Sequence, residues 1–460
     1  MCRKKDFAVP DRSAHLIPAQ PWLTRLMPES VRCHRLWPRA EPWVRKLGEF
    51  FVAQGLLQLM MAVTGFFFLR WMPVQEYAAY TLAFAIQSSM IAFTDVGFSS
   101  AIIPLVGARV DDRAVIGAYI AGARRLRLLL LPFVLTGGGV VFCVLGHRQQ
   151  ISWPTIAGLA VCAAVMVWFN VVTVLYGQSL LIRQELRVLN VSQNAMGALR
   201  FAVYIIAYAC GWLGSVFALA LNTLLNAGMA GVLRGRARKQ FDEPVGGDPA
   251  AVAARREILR FVRPQLPVMI FNAVEGQIVV FLVSIVGGGA ALAETGALSR
   301  LNMLFAITPA LYTWIIQPYF ARIAPTLAAR RFWQIAVAGG AILSLAPIAG
   351  FVLPEPFLWL LGPHYAHLRV EVGLLLLANS IGCGVALVST LSLARRWVFD
   401  DAILWIALLT VGFQTIAVAV HDVSRPAGAF AVMIWGNSGS LLAYLILAVR
   451  GQRSMAQTQP

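Results

Sequence analysis

A few ionisable side chains stand inside long apolar runs, and their chemistry frames the functional question. Glu275 sits in Phe271-Asn272-Ala273-Val274-Glu275-Gly276-Gln277, near the centre of one such run, with Asn272 at i−3 on the same helical face. A charge at mid-bilayer costs roughly 2.5–3.5 kcal/mol on insertion scales, so it faces protein or water. Glu275, with Asn272 beside it, therefore either lines a water-filled cavity or is an internally hydrogen-bonded structural carboxyl. Arg300, in Ala297-Leu298-Ser299-Arg300-Leu301-Asn302, either snorkels to the headgroups or presents a fixed guanidinium to a cavity. In the second case its planar fork suits phosphate oxygens bidentately. Arg200 lies about two turns into another run and is the next candidate for the same task, unless it snorkels. Asp95, in Phe93-Thr94-Asp95-Val96-Gly97-Phe98, reads as a helix terminus with a tight backbone approach at Gly97. Its carboxylate has Arg109, Arg113 and the Arg124-Arg125-Arg127 cluster as possible partners, and such a pair would latch a gate.

Other chemistries lack their residues. The only lysines are Lys4, Lys5, Lys46 and Lys239, and none closes a phosphate-binding loop. His364 and His367, with Glu355 and Glu371 nearby, either share a metal or are unrelated loop residues; no metal and no cofactor is expected. The six cysteines show neither ligand nor disulfide spacing. A membrane-embedded glycosyltransferase or polymerase needs a catalytic acid or histidine on a sizeable loop, and the longest loop on that side spans only about 354–370. No enzyme activity is expected.

These side chains must be positioned by membrane-spanning helices. The 460 residues are 59% hydrophobic and 13% charged, against about 45–50% and about 25% in soluble domains. Apolar runs of about 20 residues predict twelve spans: 49–70, 76–98, 128–147, 153–176, 193–213, 215–233, 265–287, 296–318, 333–353, 371–393, 402–420 and 428–449. Of the 38 basic residues, 32 fall on one side of this arrangement and 5 on the other. That bias places the first side, with both termini, in the cytoplasm. It also accounts for the net charge of +17 without nucleic acid. The expected organisation is a basic cytoplasmic tail (1–47), a first lobe (48–233), a basic cytoplasmic linker with a surface helix (234–264), a second lobe (265–450) and a short cytoplasmic tail (451–460). The first tail has no apolar run of signal-peptide length. Trp22, Trp37 and Trp43 within it are either interfacial or part of an unordered tail.

Two stretches carry a resemblance. Phe93-Thr94-Asp95-Val96-Gly97-Phe98-Ser99-Ser100-Ala101-Ile102-Ile103-Pro104 resembles the acidic-x-Gly segment after helix two of oligosaccharide and polysaccharide flippases. Thr295-Gly296-Ala297-Leu298-Ser299-Arg300-Leu301, continuing through Pro309 and Pro318 to Pro325, is similar to their helix-eight pattern Tyr-x-x-Ala-x-Arg-Leu … Pro … Pro. These O-antigen-type flippases belong to the multidrug/oligosaccharidyl-lipid/polysaccharide (MOP) exporter superfamily. The resemblance implies an all-α polytopic protein, two six-helix lobes around a central cavity as in multidrug MATE exporters. It implies outward transport of undecaprenyl-pyrophosphate-linked oligosaccharide across the bacterial inner membrane. It also implies membrane lipids as surroundings, H⁺ or Na⁺ as a coupling ion, and the glycosyltransferases or polymerase of the same pathway as partners. Arg300 falls where lipid II flippases carry a cavity arginine. The fourteen helices and further helix-one and helix-two arginines of that branch are missing here. MATE exporters place a coupling carboxylate in helix seven, as Glu275 does, although their acidic partner in helix ten is replaced by Ala378-Asn379-Ser380. A cation-coupled drug exporter is therefore the alternative.

Overall fold

Helices in this chain start and stop where local chemistry satisfies their end groups. Asp112 caps the helix Arg113–Arg148, its Oδ1 accepting from the Ala114 and Val115 amides at 3.0 and 3.2 Å. Asp248 does the same for Pro249–Val262, with proline in the first turn. Val74–Asp95 ends as the Asp-x-Gly segment foretells: Val96 and Gly97 take positive φ (34° and 87°), and Asp95 Oδ1 accepts from the Ser99 amide and hydroxyl at 3.1 and 2.6 Å.

The structure, a computed structural model, describes residues 55–457 apart from 107–108, 110–111, 184, 243–247, 264–265, 307, 313–315, 322, 324, 396 and 398–401. The expected tail 1–47 and its tryptophans lie outside the described residues. In chain order the principal helices are α1 (Gly55–Trp71), α2 (Val74–Asp95), α3 (Arg113–Arg148), α4 (Trp153–Ile182), α5 (Leu186–Ala209), α6 (Ser215–Ala237) and the linker helix α7 (Pro249–Val262). Then follow α8 (Leu266–Glu275), α9 (Ile278–Val286), α10 (Gly289–Ser299), α11 (Pro325–Val352), α12 (Arg369–Ala394), α13 (Ala402–Val420) and α14 (Pro426–Gln457), with short helical pieces between. Six of these are long and apolar enough to cross a membrane unaided. There is no strand among the described residues. The architecture is all-helical, with about twelve membrane helices in two lobes, and the protein is a multi-pass membrane protein.

Three expected spans differ in form. The third begins fifteen residues earlier than 128, at Arg113, because its first turns project past the apolar run, where α7 lies along them with Ala254, Ile258 and Val262 buried. Gly122 permits that approach, since a Cβ there would stand 3.1 Å from the Arg255 amide nitrogen. The seventh is broken between Glu275 and Ile278 and bent by 49°. The eighth starts at Gly289 and passes into a 3₁₀ stretch, Arg300–Phe305.

Within the first lobe α4 packs on α6 and α2 on α3 and α4; in the second, α12 packs on α11 and α14, and α13 on α14. The lobes meet chiefly where α10 crosses α2. Gly296 fixes that crossing, because a Cβ there would run into the buried Thr81 side chain. The next turn of chain carries Arg300.

Candidate functional site

Arg300 is delivered by α10 in the second lobe onto the surface of the first. Its Nε donates to the Tyr77 hydroxyl at 3.2 Å, and its guanidinium carbon lies 6.0 and 5.8 Å from the Tyr77 and Tyr80 ring centroids. Both tyrosines are buried on α2. Gly65 of α1 lets the side chain pass: a Cβ there would stand 3.0 Å from Arg300 Cδ. Rings and a neutral hydroxyl stabilise the cation but do not neutralise it. Among the described residues no carboxylate lies within ion-pair distance of Arg300.

Arg300 borders two spaces. The smaller, about 60 Å³, is partly open and is otherwise lined by first-lobe residues, among them Thr64, Tyr204, Asn222 and Arg200. Arg200 Nη1 donates to Asn222 Oδ1 at 2.7 Å, so Arg200 points into the lobe and shares a pocket with Arg300. The structure thus brings these two sequence-predicted cations together.

The larger space, about 600 Å³, lies between α2 and the second-lobe helices, within the size range of sites that enclose small ligands. Arg300 and Phe84 lie on its border with the small pocket, since both line each of them. Glu275 lines it from the last residue of α8, with Gln277 in the break. No hydrogen bond joins the Glu275 carboxylate to another described residue. Asn272 is on the same helix, but its side chain is outside the described residues. The lining also holds three amides that sequence reasoning did not select: Asn302, Asn379 and Asn437. Asn379 Nδ2 donates to Asn302 Oδ1 at 2.8 Å and to the Leu375 carbonyl at 3.0 Å, and Asn437 Nδ2 donates to the Ala378 carbonyl at 2.8 Å. Lone amides in apolar spans are the sequence signal that was present.

At the end of the bundle carrying α7, Asp95 pairs with Arg127 at 3.4 Å. Arg127 is fully buried and also donates to Ser99 Oγ (3.0 Å) and Asn170 Oδ1 (3.2 Å). Of the partners weighed for Asp95, the basic cluster supplies the one observed. Arg113 instead donates to the Lys239 carbonyl, tying α3 to the segment after α6. Asp95, Arg127 and Asn170 belong to one lobe, so in this conformation the pair braces that lobe.

At the opposite end the lobes are tied by side chains of the first to backbone carbonyls of the second. Arg148 Nη1 donates to Ile285 O (2.7 Å), Gln149 Nε2 to Ser284 O and Gly287 O (2.9 and 3.1 Å), and Arg70 Nη2 to Trp359 O (2.7 Å). Of the loop residues that could share a metal, His367 Nε2 lies 2.9 Å from Glu294 Oε1 and Glu355 lies 3.3 Å from Arg369. Among the described residues no group of three potential ligands forms.

No protein-family profile matches the sequence, and no curated protein does. Solved structures do match in shape. An inward-facing multidrug resistance MATE family transporter of the MOP superfamily aligns with 88% of this chain and 96% of its own at TM-score 0.62 and 14% identity. The lipid II flippase MurJ in an inward closed conformation aligns with 89% of this chain and 90% of its own at 0.58 and 12%. A MATE in complex with MaD3S aligns with 88% of this chain and 94% of its own at 0.56 and 16%. The chain shares its fold with these MATE and MurJ structures. At these identities the likeness concerns the fold, and the structures that share it include both a multidrug resistance transporter and a lipid II flippase.

Proposed function

We propose that the protein flips a lipid-linked oligosaccharide, carried on undecaprenyl pyrophosphate, outward across the bacterial cytoplasmic membrane by alternating access of its two lobes. This step would supply polysaccharide or O-antigen assembly, with both termini cytoplasmic and the pathway's glycosyltransferases or polymerase as neighbours. One observation carries the reading: Arg300, a membrane-embedded guanidinium with no acidic partner among the described residues, stands at the junction of the lobes beside Arg200. A diphosphate crossing a bilayer needs compensating charge, and a guanidinium in a low-dielectric cavity offers charge and parallel N–H donors together. Arg300 is the principal anchor, Arg200 the second, and Glu275 and Asn272 line the path. Asp95, with Arg127, and Arg113 act at the linker end when the lobes rock. The test is a deletion strain. Accumulation of lipid-linked repeat units on the inner leaflet, without altered drug sensitivity, supports the reading, and the reverse overturns it.

A second reading, a cation-coupled drug exporter, is favoured by Glu275. Its carboxylate ends α8, where the helix dipole adds negative potential, and the two together attract a proton or a metal cation. Coupling and flipping are compatible, so Glu275 serves H⁺ or Na⁺ coupling under either cargo.

A further inference from the structure

Resting on the flippase reading above, we propose that the amide wall of Asn302, Asn379 and Asn437 is the saccharide-reading surface of the cavity. The two sides of Arg300 offer different chemistry. The small pocket presents guanidinium donors from Arg200 and Arg300, which suits phosphate oxygens, since these accept and never donate once ionised. The second-lobe wall presents carboxamides, each with one acceptor and two donor positions.

The internal bonds of that wall leave a definite remainder. Asn379 spends both amide protons, on Asn302 Oδ1 and Leu375 O, so its own oxygen stays available, as does the Asn302 NH₂. Asn437 spends a proton on Ala378 O and keeps its oxygen. Gly382 makes room for it, because a Cβ there would stand 3.2 Å from Asn437 Nδ2. A surface that offers free carbonyl oxygens beside free amide protons suits groups that both donate and accept, which is the chemistry of sugar hydroxyls and acylamino substituents. Phe84, 38% exposed at the junction, offers a ring whose negative face suits the C–H face of a pyranose. Pairing between Asn302 and Asn379 holds the two amides in a fixed relative orientation, so the wall is organised before cargo arrives. The diphosphate and the sugar are thus bound on opposite sides of one arginine, in the order in which they are joined in the cargo.

The experiment uses full-length protein in nanodiscs and measures binding of undecaprenyl diphosphate, bare or carrying one of a panel of hexoses and N-acetylhexosamines. Wild type should bind at least one sugar-bearing form more tightly than the bare diphosphate. Asn302→Leu should erase about two- to tenfold of that preference, as expected for one lost hydrogen bond, and leave bare-diphosphate binding unchanged. Asn302→Asp, which is isosteric and keeps the folded cavity, should change which sugar is preferred. Arg300→Ala should weaken every ligand alike. Absence of any sugar preference in wild type, or its full retention in Asn302→Leu, overturns the amide-wall assignment while leaving the flippase reading intact. Failure of wild type to bind the bare diphosphate, or indifference of that binding to Arg300→Ala, overturns the flippase reading itself.

Discussion

Replacing Gly296 by alanine tests whether the lobe crossing is what sets the arginine in place. In the interior of α10 an alanine gains about 0.5–1 kcal/mol over glycine through backbone entropy. At this position, however, the new Cβ would lie 2.6 Å from Thr81 Cγ2 and nearer still to Oγ1. Thr81 is 9% exposed and β-branched, so its χ1 has little freedom to yield. Overpacking of a tight core costs typically 1–3 kcal/mol, which outweighs the entropic gain and leaves Gly296→Ala destabilised by about 1–2 kcal/mol. Thr81→Ala alone should be close to neutral, because the Thr81 hydroxyl is buried without a hydrogen-bond partner among the described residues. In the double variant the Oγ1 and Cγ2 clashes are gone but the two Cβ atoms still stand 3.0 Å apart, so the helices must shift slightly and stability should recover most, not all, of the way to that of Thr81→Ala. Thermal unfolding of the four purified proteins of this cycle, beside flipping activity in proteoliposomes, measures the coupling. Additivity within about 0.3–0.5 kcal/mol would show that Gly296 and Thr81 do not share a contact and that the crossing does not place Arg300.

Arg300→Lys should lose bidentate geometry and much of the flipping rate, and Arg300→Ala about 10- to 100-fold, the value of one charge-assisted hydrogen bond, with expression unchanged; wild-type rates in a well-expressed Arg300→Ala would leave Arg200 as the anchor to test. Glu275→Gln should abolish the dependence of transport on a pH gradient while the protein still inserts, and an unchanged gradient dependence in vesicles would reduce Glu275 to a structural residue. Arg148→Ala with Gln149→Ala removes one charged and two neutral ties to second-lobe carbonyls and should raise cysteine accessibility of the cavity from the end opposite α7, read by labelling of Thr81→Cys. Asp95→Asn should destabilise more than Arg127→Leu, because it leaves a fully buried guanidinium unpaired, a loss of about 3 kcal/mol; equal melting curves for the two variants would show that the pair does not brace the lobe.

How far the sequence reaches into this structure depends on the range of the interaction that decides each feature. Spans and linker helix were legible because burial in lipid or against one neighbour imposes a local pattern: 20 apolar residues, or apolar residues at every fourth position in α7. The end of α2 was legible because Asp-x-Gly encodes its own left-handed turn. The break after Glu275 was not, since a bent pair of half-helices has the same hydropathy as one straight helix. Nor was the choice of Arg127 over Arg113, which is made by the packing of α2 on α3 and by Asn170 from α4.

Arg300 shows how the two ranges combine. Its type and depth in an apolar run predict only that it must find polar company or water. Whether that company is acidic decides the chemistry, because a carboxylate would consume the charge and leave a structural ion pair. The tertiary fold supplies two tyrosines and a second arginine instead. The tyrosines hold the guanidinium in place and leave its charge available. An arginine kept charged at a lobe junction is suited to an anionic cargo, and the amides beyond it are suited to whatever neutral polar group that anion carries.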